Sequence, residues 1–417
     1  MGCTDLKTPN LDRLAAMGAV FTDAHTTATV CSPSRAGLLT GRYQQRFGHE
    51  CNIPPHGLGM SVTERTIADA LKMQDYRTGI FGKRHLGETK GYHPNERGFD
   101  EFYGFLEGSR SYFMNEANDL DGDPHAVERN GERVDFDGYL TDVLGQKTLE
   151  FIKSTREQPF FAFLSFNAVH SPMEAKQEDL DMFSAMDRKT LAAMTWSMDE
   201  AIGEILDYLE SSERLNNTLI FFLSDNGGAN NNQSSCAPLK GWKGNKFEGG
   251  HRVPFVVTWP QKIPAGQRID KLVSALDIFK TSNIVSGARD FKDKPLDGIN
   301  LLPLMRGENK DSYHRELFWR KDEMAAVRDD HWKLIRLDDY GYRLYNLKED
   351  LGEKLDLREK HPKQFAKMKL SLEAWEKQMV KPWWLESKAW SEVTWFIHKD
   401  LMENKPPRAM SPDELKK

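Results

Sequence analysis

Cysteine is scarce. There are four, Cys3, Cys31, Cys51 and Cys236, in 417 residues, and their spacing fits no zinc-binding pattern. Long apolar runs are missing as well. No stretch is long enough to cross a bilayer as a helix, and the first residues, Met-Gly-Cys-Thr-Asp, carry no apolar signal segment. An excess of basic residues is also absent. Lys and Arg number 57 against 63 Asp and Glu, a net charge of −6, which argues against non-specific nucleic-acid binding and against a basic membrane-surface patch. There are no internal repeats. The chain is 39% hydrophobic over its 417 residues, enough for one large domain with a smaller one beside it.

The most informative stretch is residues 31–42, Cys-Ser-Pro-Ser-Arg-Ala-Gly-Leu-Leu-Thr-Gly-Arg. Ser32 suits an N-cap and Pro33 the first helical position, where its missing N–H costs nothing. Gly41 can end the helix. Cys31 is then expected at the positive end of a helix dipole, beside free N–H groups, with Arg35 one turn in and able to swing back over it. That places a reactive thiol next to an anion seat.

Cys31-Ser32-Pro33-Ser34-Arg35, followed by Leu39-Thr40-Gly41-Arg42, resembles the signature of the formylglycine-dependent sulfatases, of the alkaline-phosphatase superfamily. The resemblance continues through Gly82-Lys83-Arg84-His85-Leu86-Gly87, where Arg84 stands in place of the family's tryptophan. It continues through Asn167-Ala168-Val169-His170-Ser171-Pro172, Ser224-Asp225-Asn226-Gly227-Gly228 and Gly241-Trp242-Lys243-Gly244. It implies that Cys31 is oxidised to formylglycine, whose hydrate attacks sulfur. Arg35, Lys83, His85 and Lys243 would neutralise developing charge, and His170 would protonate the leaving oxygen. It also implies one Ca2+ ion, held by Asp225, Asn226 and the modified Cys31. The substrate implied is a sulfated carbohydrate or an aryl sulfate, and maturation requires a formylglycine-generating enzyme.

The pattern of elements agrees with an α/β fold. Phe160–Phe166 and Leu219–Leu223 read as buried parallel strands, each ending in a candidate site. Ligand groups gather at the carboxyl ends of such strands. Helices are expected from Pro9, from Thr141 with Thr141 as cap, and over 187–210. Four short strands between 316 and 347 suggest an antiparallel sheet, with a helix over 362–379 packed on it. Tyr43 to Met60 reads as a loop able to line a cleft. The resemblance implies an alkaline-phosphatase-like sandwich with a central, mostly parallel sheet. The organisation expected is a catalytic domain over 1–310, a C-terminal α+β subdomain over 311–379, and an aromatic, charged tail over 380–417.

One departure from the family stands out. In the family an apolar strand ending in two metal-binding aspartates precedes the segment matching Lys7–Ala15, and no such strand is present here. The chain as it stands is therefore expected to be calcium-deficient and nearly inactive. A native N-terminus carrying a signal peptide would make the protein periplasmic or secreted. Two other readings remain at this stage: a phosphate or phosphonate monoester hydrolase of the same superfamily, and an inactive paralogue that binds sulfated glycans.

Overall fold

The computed structural model describes residues 3, 5–308 and 315–416. The domain boundary expected at 310/311 and most of the opening Met-Gly-Cys-Thr lie outside the described residues. In chain order the elements run α1 (Pro9–Ala16), β1 (Ala19–His25), α2 (Cys31–Thr40), α3 (Ile67–Lys72), β2 (Arg77–Lys83), β3 (Glu101–Phe105), β4 (Glu128–Arg129) and β5 (Glu132–Arg133). Then come α4 (Leu140–Ser154), β6 (Phe160–Ser165), α5 (Gln177–Met182), α6 (Lys189–Ser211), β7 (Ile220–Leu223), α7 (Glu248–His251), β8 (Phe255–Thr258), β9 (Gln267–Ser274), α8 (Asp277–Ser286) and α9 (Leu302–Met305). The C-terminal part holds β10 (Glu316–Lys321), β11 (Met324–Asp329), β12 (Trp332–Leu337), β13 (Gly341–Asn346), α10 (Pro362–Glu376) and α11 (Lys388–Met402).

Helices cover both faces of the central strands. Leu38 of α2, Ile67 of α3 and Ile278 of α8 pack on one side. Leu11 of α1, Leu144 of α4 and Leu206 of α6 pack on the other. The central layer is mixed, however, and it is split in two. One sheet runs β5-β4-β3-β2-β6, with β2 parallel to both β3 and β6. The other runs β7-β8-β1-β9. There β8 is antiparallel to both neighbours, so β7, read from sequence as a parallel strand, pairs antiparallel. Apolar content alone does not report a partner's direction.

The two sheets meet at β6 and β7. Each is paired along one edge only among the described residues. Between them lies a cavity of about 1840 Å³, lined by Phe160–Val169 and Leu219–Ala229. This is why Phe160, Phe161, Phe163, Leu164 and the β7 residues are half-buried rather than fully buried.

The C-terminal sheet β10-β11-β12-β13 is antiparallel throughout. Met368, Leu372 and Trp375 of α10 cover one face, and Val393, Ile397 and Leu401 of α11 cover the other. The segment joining these helices closes over residues 45–51. Val380 N–H donates to Gln45 O (3.1 Å), Trp383 N–H to Gly48 O (2.9 Å), and the Trp384 ring meets His49 at 4.8 Å. Of the stretch expected as a loop over Tyr43 to Met60, residues 43–51 are thus almost all buried, whereas 52–58 stay partly or fully exposed.

Candidate active site

Helix α2 begins at Cys31 itself, with Val30 extended at the N-cap (φ −138°, ψ 158°). Ser32, expected as the cap, sits one residue inside, and its side chain makes no capping bond. It is used across the fold instead. Its hydroxyl donates to His85 O (2.7 Å) and accepts from His49 Nε2 (2.7 Å), while Asn52 Oδ1 accepts from Ser32 N–H (3.0 Å). Thr141 likewise lies within α4, with Tyr139 at the N-cap. Every residue of α2 is buried, which fixes Cys31 against the strand ends.

Arg35 does not fold back over Cys31. Its Nε donates to Asp225 Oδ2 (2.8 Å), and its Nη1 donates to Lys83 O (2.8 Å) and Ser165 Oγ (2.5 Å). The guanidinium therefore ties together the carboxyl ends of β2, β6 and β7. The reason is geometric. One helical turn separates the two residues, and three acceptors converge on that side of α2.

The other side chains expected at the site do converge on Cys31. Burial pushes its thiol up, but the charges of Lys83 and Lys243 and hydrogen bonds with His170 and His85 outweigh this and hold it well below its usual value. Burial, reinforced by Arg35 and Lys243, lowers Lys83. Burial lowers His85 too, so His85 is neutral at pH 7. His170 Nδ1–H donates to Ser171 O (2.7 Å). That bond leaves Nε2 free to face the site, where it accepts from Lys243 Nζ (3.0 Å). Lys243 is delivered by a loop docked through Lys243 N–H on Gly228 O (2.9 Å) and Gly244 N–H on Thr29 O (2.8 Å). Close approach of this loop region requires Gly227, where a Cβ would fall 1.8 Å from Gly249 O.

A depressed thiol makes a direct prediction. Unmodified Cys31 should react with iodoacetamide at pH 6–7 faster than any other buried cysteine. Cys51 is the control, since burial raises it to about 12. Lys243→Ala should slow Cys31 labelling at pH 6 and leave Cys51 unaffected. Peptide mapping of the alkylated protein reads both rates.

Asp225 and Asn226 stand at the end of β7 as expected. The Asn226 side chain is buried, and its Oδ1 has no partner among the described residues. A carboxylate and an orphaned amide oxygen are hard donors that fit calcium, although two protein oxygens fall short of the six to eight such an ion takes.

Sequence reasoning missed several residues. Ser165 ends β6 and Asn167 lies two residues on. Both polar side-chain atoms of Asn167 are buried without a partner among the described residues, and the only sequence signal was polar residues closing an apolar run. His49 was hidden in what read as a loop. A further buried group, His25, Glu248 and His251, brings three possible ligand atoms together. It is already saturated. His25 Nδ1 meets His251 Nδ1 (2.9 Å), and Glu248 accepts from Arg328 (2.6 Å) and Lys333 (3.0 Å).

Arg84, in place of the family's tryptophan, is fully buried with no side-chain nitrogen partnered among the described residues. Burial, with Arg97 and Arg35 nearby, pushes it down to about 9. An unpaired buried cation is costly. Arg84→Met should therefore raise the free energy of unfolding by about 1–3 kcal/mol in a urea titration.

Cys31 is thus met by two lysines and two histidines at the carboxyl ends of strands in an α/β layer, the place where ligand groups gather in such sheets. The sulfatase family profile matches residues 2–287, and that of the N-sulphoglucosamine sulphohydrolase C-terminal region matches residues 241–379. The chain belongs to the sulfatase family. It is 34% identical to human N-acetylgalactosamine-6-sulfatase over 350 residues, covering 78% of this chain and 66% of that protein. It is 30% identical to human arylsulfatase G over 378 residues, covering 80% and 70%. Among solved structures, Ps i-CgsB in complex with k-i-k-neocarrahexaose superposes with a TM-score of 0.87 at 34% identity, covering 95% of this chain and 93% of that one. The chain thus spans just under two thirds of the length of the first of these relatives. No described helix is long and apolar enough to cross a membrane.

Proposed function

We propose that this protein hydrolyses sulfate esters of a sulfated carbohydrate, releasing the alcohol and inorganic sulfate, with Cys31 converted to formylglycine. One observation carries the reading. The buried Cys31 position is met by Lys83, Lys243, His85 and His170, while the nearby carboxylate, Asp225, is turned onto Arg35. That arrangement seats a permanent anion next to a nucleophile. The relatives' names, an N-acetylgalactosamine-6-sulfatase and a protein crystallised with a neocarrahexaose, support a carbohydrate substrate.

Each group then has a task. Lys83 and Lys243 hold the sulfate oxygens and meet the charge that builds on them. His85 presents its imidazole beside residue 31. His170, fixed through Nδ1 by Ser171 O, directs Nε2 to the leaving oxygen. Nε2 takes a proton from the Lys243 ammonium that it faces and hands it on to the leaving alkoxide, leaving Lys243 neutral until solvent reprotonates it. Arg35 acts as a positioning residue by joining three strand ends. Asp225, Asn226 and residue 31 would hold calcium, which when bound polarises sulfate and favours the ionised form of an attacking hydroxyl. Two protein oxygens from β7 fall short of a full calcium shell, so turnover by this chain is expected to be slow and to rise with added calcium. Conversion of Cys31 calls for a formylglycine-generating enzyme as a maturation partner. A polymeric sulfated substrate fits a periplasmic or secreted location.

The test is release of sulfate from sulfated oligosaccharides and from an aryl sulfate, with matched phosphate and phosphonate esters alongside. Faster sulfate release supports the proposal. Faster phosphate or phosphonate release would transfer the chain to the related hydrolases, and tight glycan binding without any turnover would make it a binding protein.

A further inference from the structure

The turn that delivers Lys243 is held at both ends. On the site side, Lys243 N–H donates to Gly228 O (2.9 Å) and Gly244 N–H to Thr29 O (2.8 Å). The turn itself is closed. Asn245 N–H donates to Trp242 O (2.9 Å), and Trp242 N–H donates to Asn245 Oδ1 (3.0 Å). Gly241 and Gly244 supply the positive φ values, 77° and 94°, that such a turn requires. A unit braced in this way moves as one body, so whatever holds Lys246, the residue next after it, also sets where Lys243 stands.

The far end is held by the C-terminal part. Lys246 N–H donates to Nε2 of His398 (3.0 Å), a residue of α11 with no exposed surface. His398 Nδ1–H donates in turn to Thr394 O (2.8 Å), one turn back in the same helix. A carbonyl only accepts, so this bond puts the proton on Nδ1 and leaves Nε2 as an acceptor. Burial, with the Lys246 charge nearby, pushes His398 down to about 3, and the acceptor persists at neutral pH. The Phe247 ring lies against the imidazole, with centroids 6.2 Å apart and planes at 24°. A polar ring is costly to bury unless its hydrogen bonds are made. Here both are made, and one of them fixes the direction of a backbone N–H three residues from Lys243.

We propose that His398 is a positioning residue for the candidate site: through the Lys246 N–H it fixes the 241–247 loop and so sets Lys243 against residue 31. Helix α11, 152 residues further along the chain from Lys246, thereby takes part in the chemistry without touching the substrate. Its effect on turnover rests on the sulfate-ester reading above, whereas its effect on the Cys31 thiol does not.

The test therefore reads the unmodified Cys31 thiol in the whole chain, because the Lys243 charge helps to hold that thiol down. His398→Leu removes the acceptor. Iodoacetamide labelling of Cys31 at pH 6 should slow by about three- to tenfold, with Cys51 labelling unchanged. His398→Gln, which returns an acceptor near the Nε2 position, should bring the rate back to within about twofold of the parent. In the Lys243→Ala background His398→Leu should slow labelling no further, because both changes act through one ammonium. On a sulfate ester, His398→Leu in the matured enzyme should lower kcat/KM by about tenfold or more. Should His398→Leu speed Cys51 labelling, the sign of an opened fold, His398→Phe, which keeps a ring against Phe247, is read in its place. Cys31 labelling at the parent rate in a folded variant without the acceptor would overturn the proposal. So would an equal slowing in the Lys243→Ala background, or no recovery in His398→Gln. If labelling responds as expected while the parent turns over no sulfate ester, the positioning role stands and the sulfate-ester reading fails.

Discussion

Replacing Cys31 by Ala should abolish sulfate-ester hydrolysis, lowering kcat by roughly 10⁴-fold or more, the scale seen when a covalent nucleophile is removed. Substrate binding should survive. Lys83, Lys243, His85 and His170 are carried by β2 and the residues just after it, the segment after β6 and the 241–247 loop, so their backbone positions do not rest on the Cys31 side chain. The variant should therefore bind a sulfated oligosaccharide within a few-fold of the parent affinity, measured by calorimetry. Loss of both binding and turnover would mean that residue 31 organises the site rather than attacking the substrate.

The second large effect concerns acid. Five histidines are buried and depressed: His25, His49, His85, His251 and His398, of which His49 and His398 are pushed down to about 3. Burial is the first cause in each. A histidine whose folded pKa lies below its unfolded value of 6.5 stays neutral in the fold while the unfolded chain takes up a proton. Stability is therefore lost as pH falls below 6.5 and continues to fall down to the folded value. His49 and His398 each cost about 1.4 kcal/mol by pH 5.5 and about 2.7 by pH 4.5, and His25, His85 and His251 act in the same direction. Glu353, raised to about 7 by burial, opposes this by about 2 kcal/mol. The net effect is a Tm that falls as pH is lowered from about 6.5 to about 4.5. Tryptophan fluorescence during thermal unfolding at about pH 6.5, 5.5 and 4.5 reads this directly. A Tm that stays level or rises over that range would show that these histidines are protonated or exposed in solution.

Much of the candidate site was legible in the sequence because its residues lie at the ends of recognisable strands. Lys83 closes β2, His170 follows β6 and Asp225 follows β7, and each is attached to a motif with the right neighbours. The direction of β7 was not legible. A four-residue apolar strand carries no signal for its partner, and β8, which determines its pairing, lies more than thirty residues on. The use of Arg35 was not legible either. Its three acceptors come from β2, β6 and β7, a convergence that exists only in three dimensions. His49 shows a third limit. A histidine among Gly and Pro reads as surface, yet the segment joining α10 to α11 covers it from more than 300 residues away. The cavity between β6 and β7 was not legible, because it is a property of the packing of two sheets far apart in sequence.

The chemistry at residue 31 is tested most directly by reading its mass and its turnover on one sample. The protein is digested to identify residue 31 as thiol or aldehyde, and the same preparation is assayed in millimolar calcium on paired sulfate and phosphate esters. Aldehyde at residue 31, with calcium-dependent release of sulfate faster than phosphate and none from Cys31→Ala, is the expected result. Sulfate release that persists in Cys31→Ala, or that proceeds with residue 31 still a thiol, would contradict it.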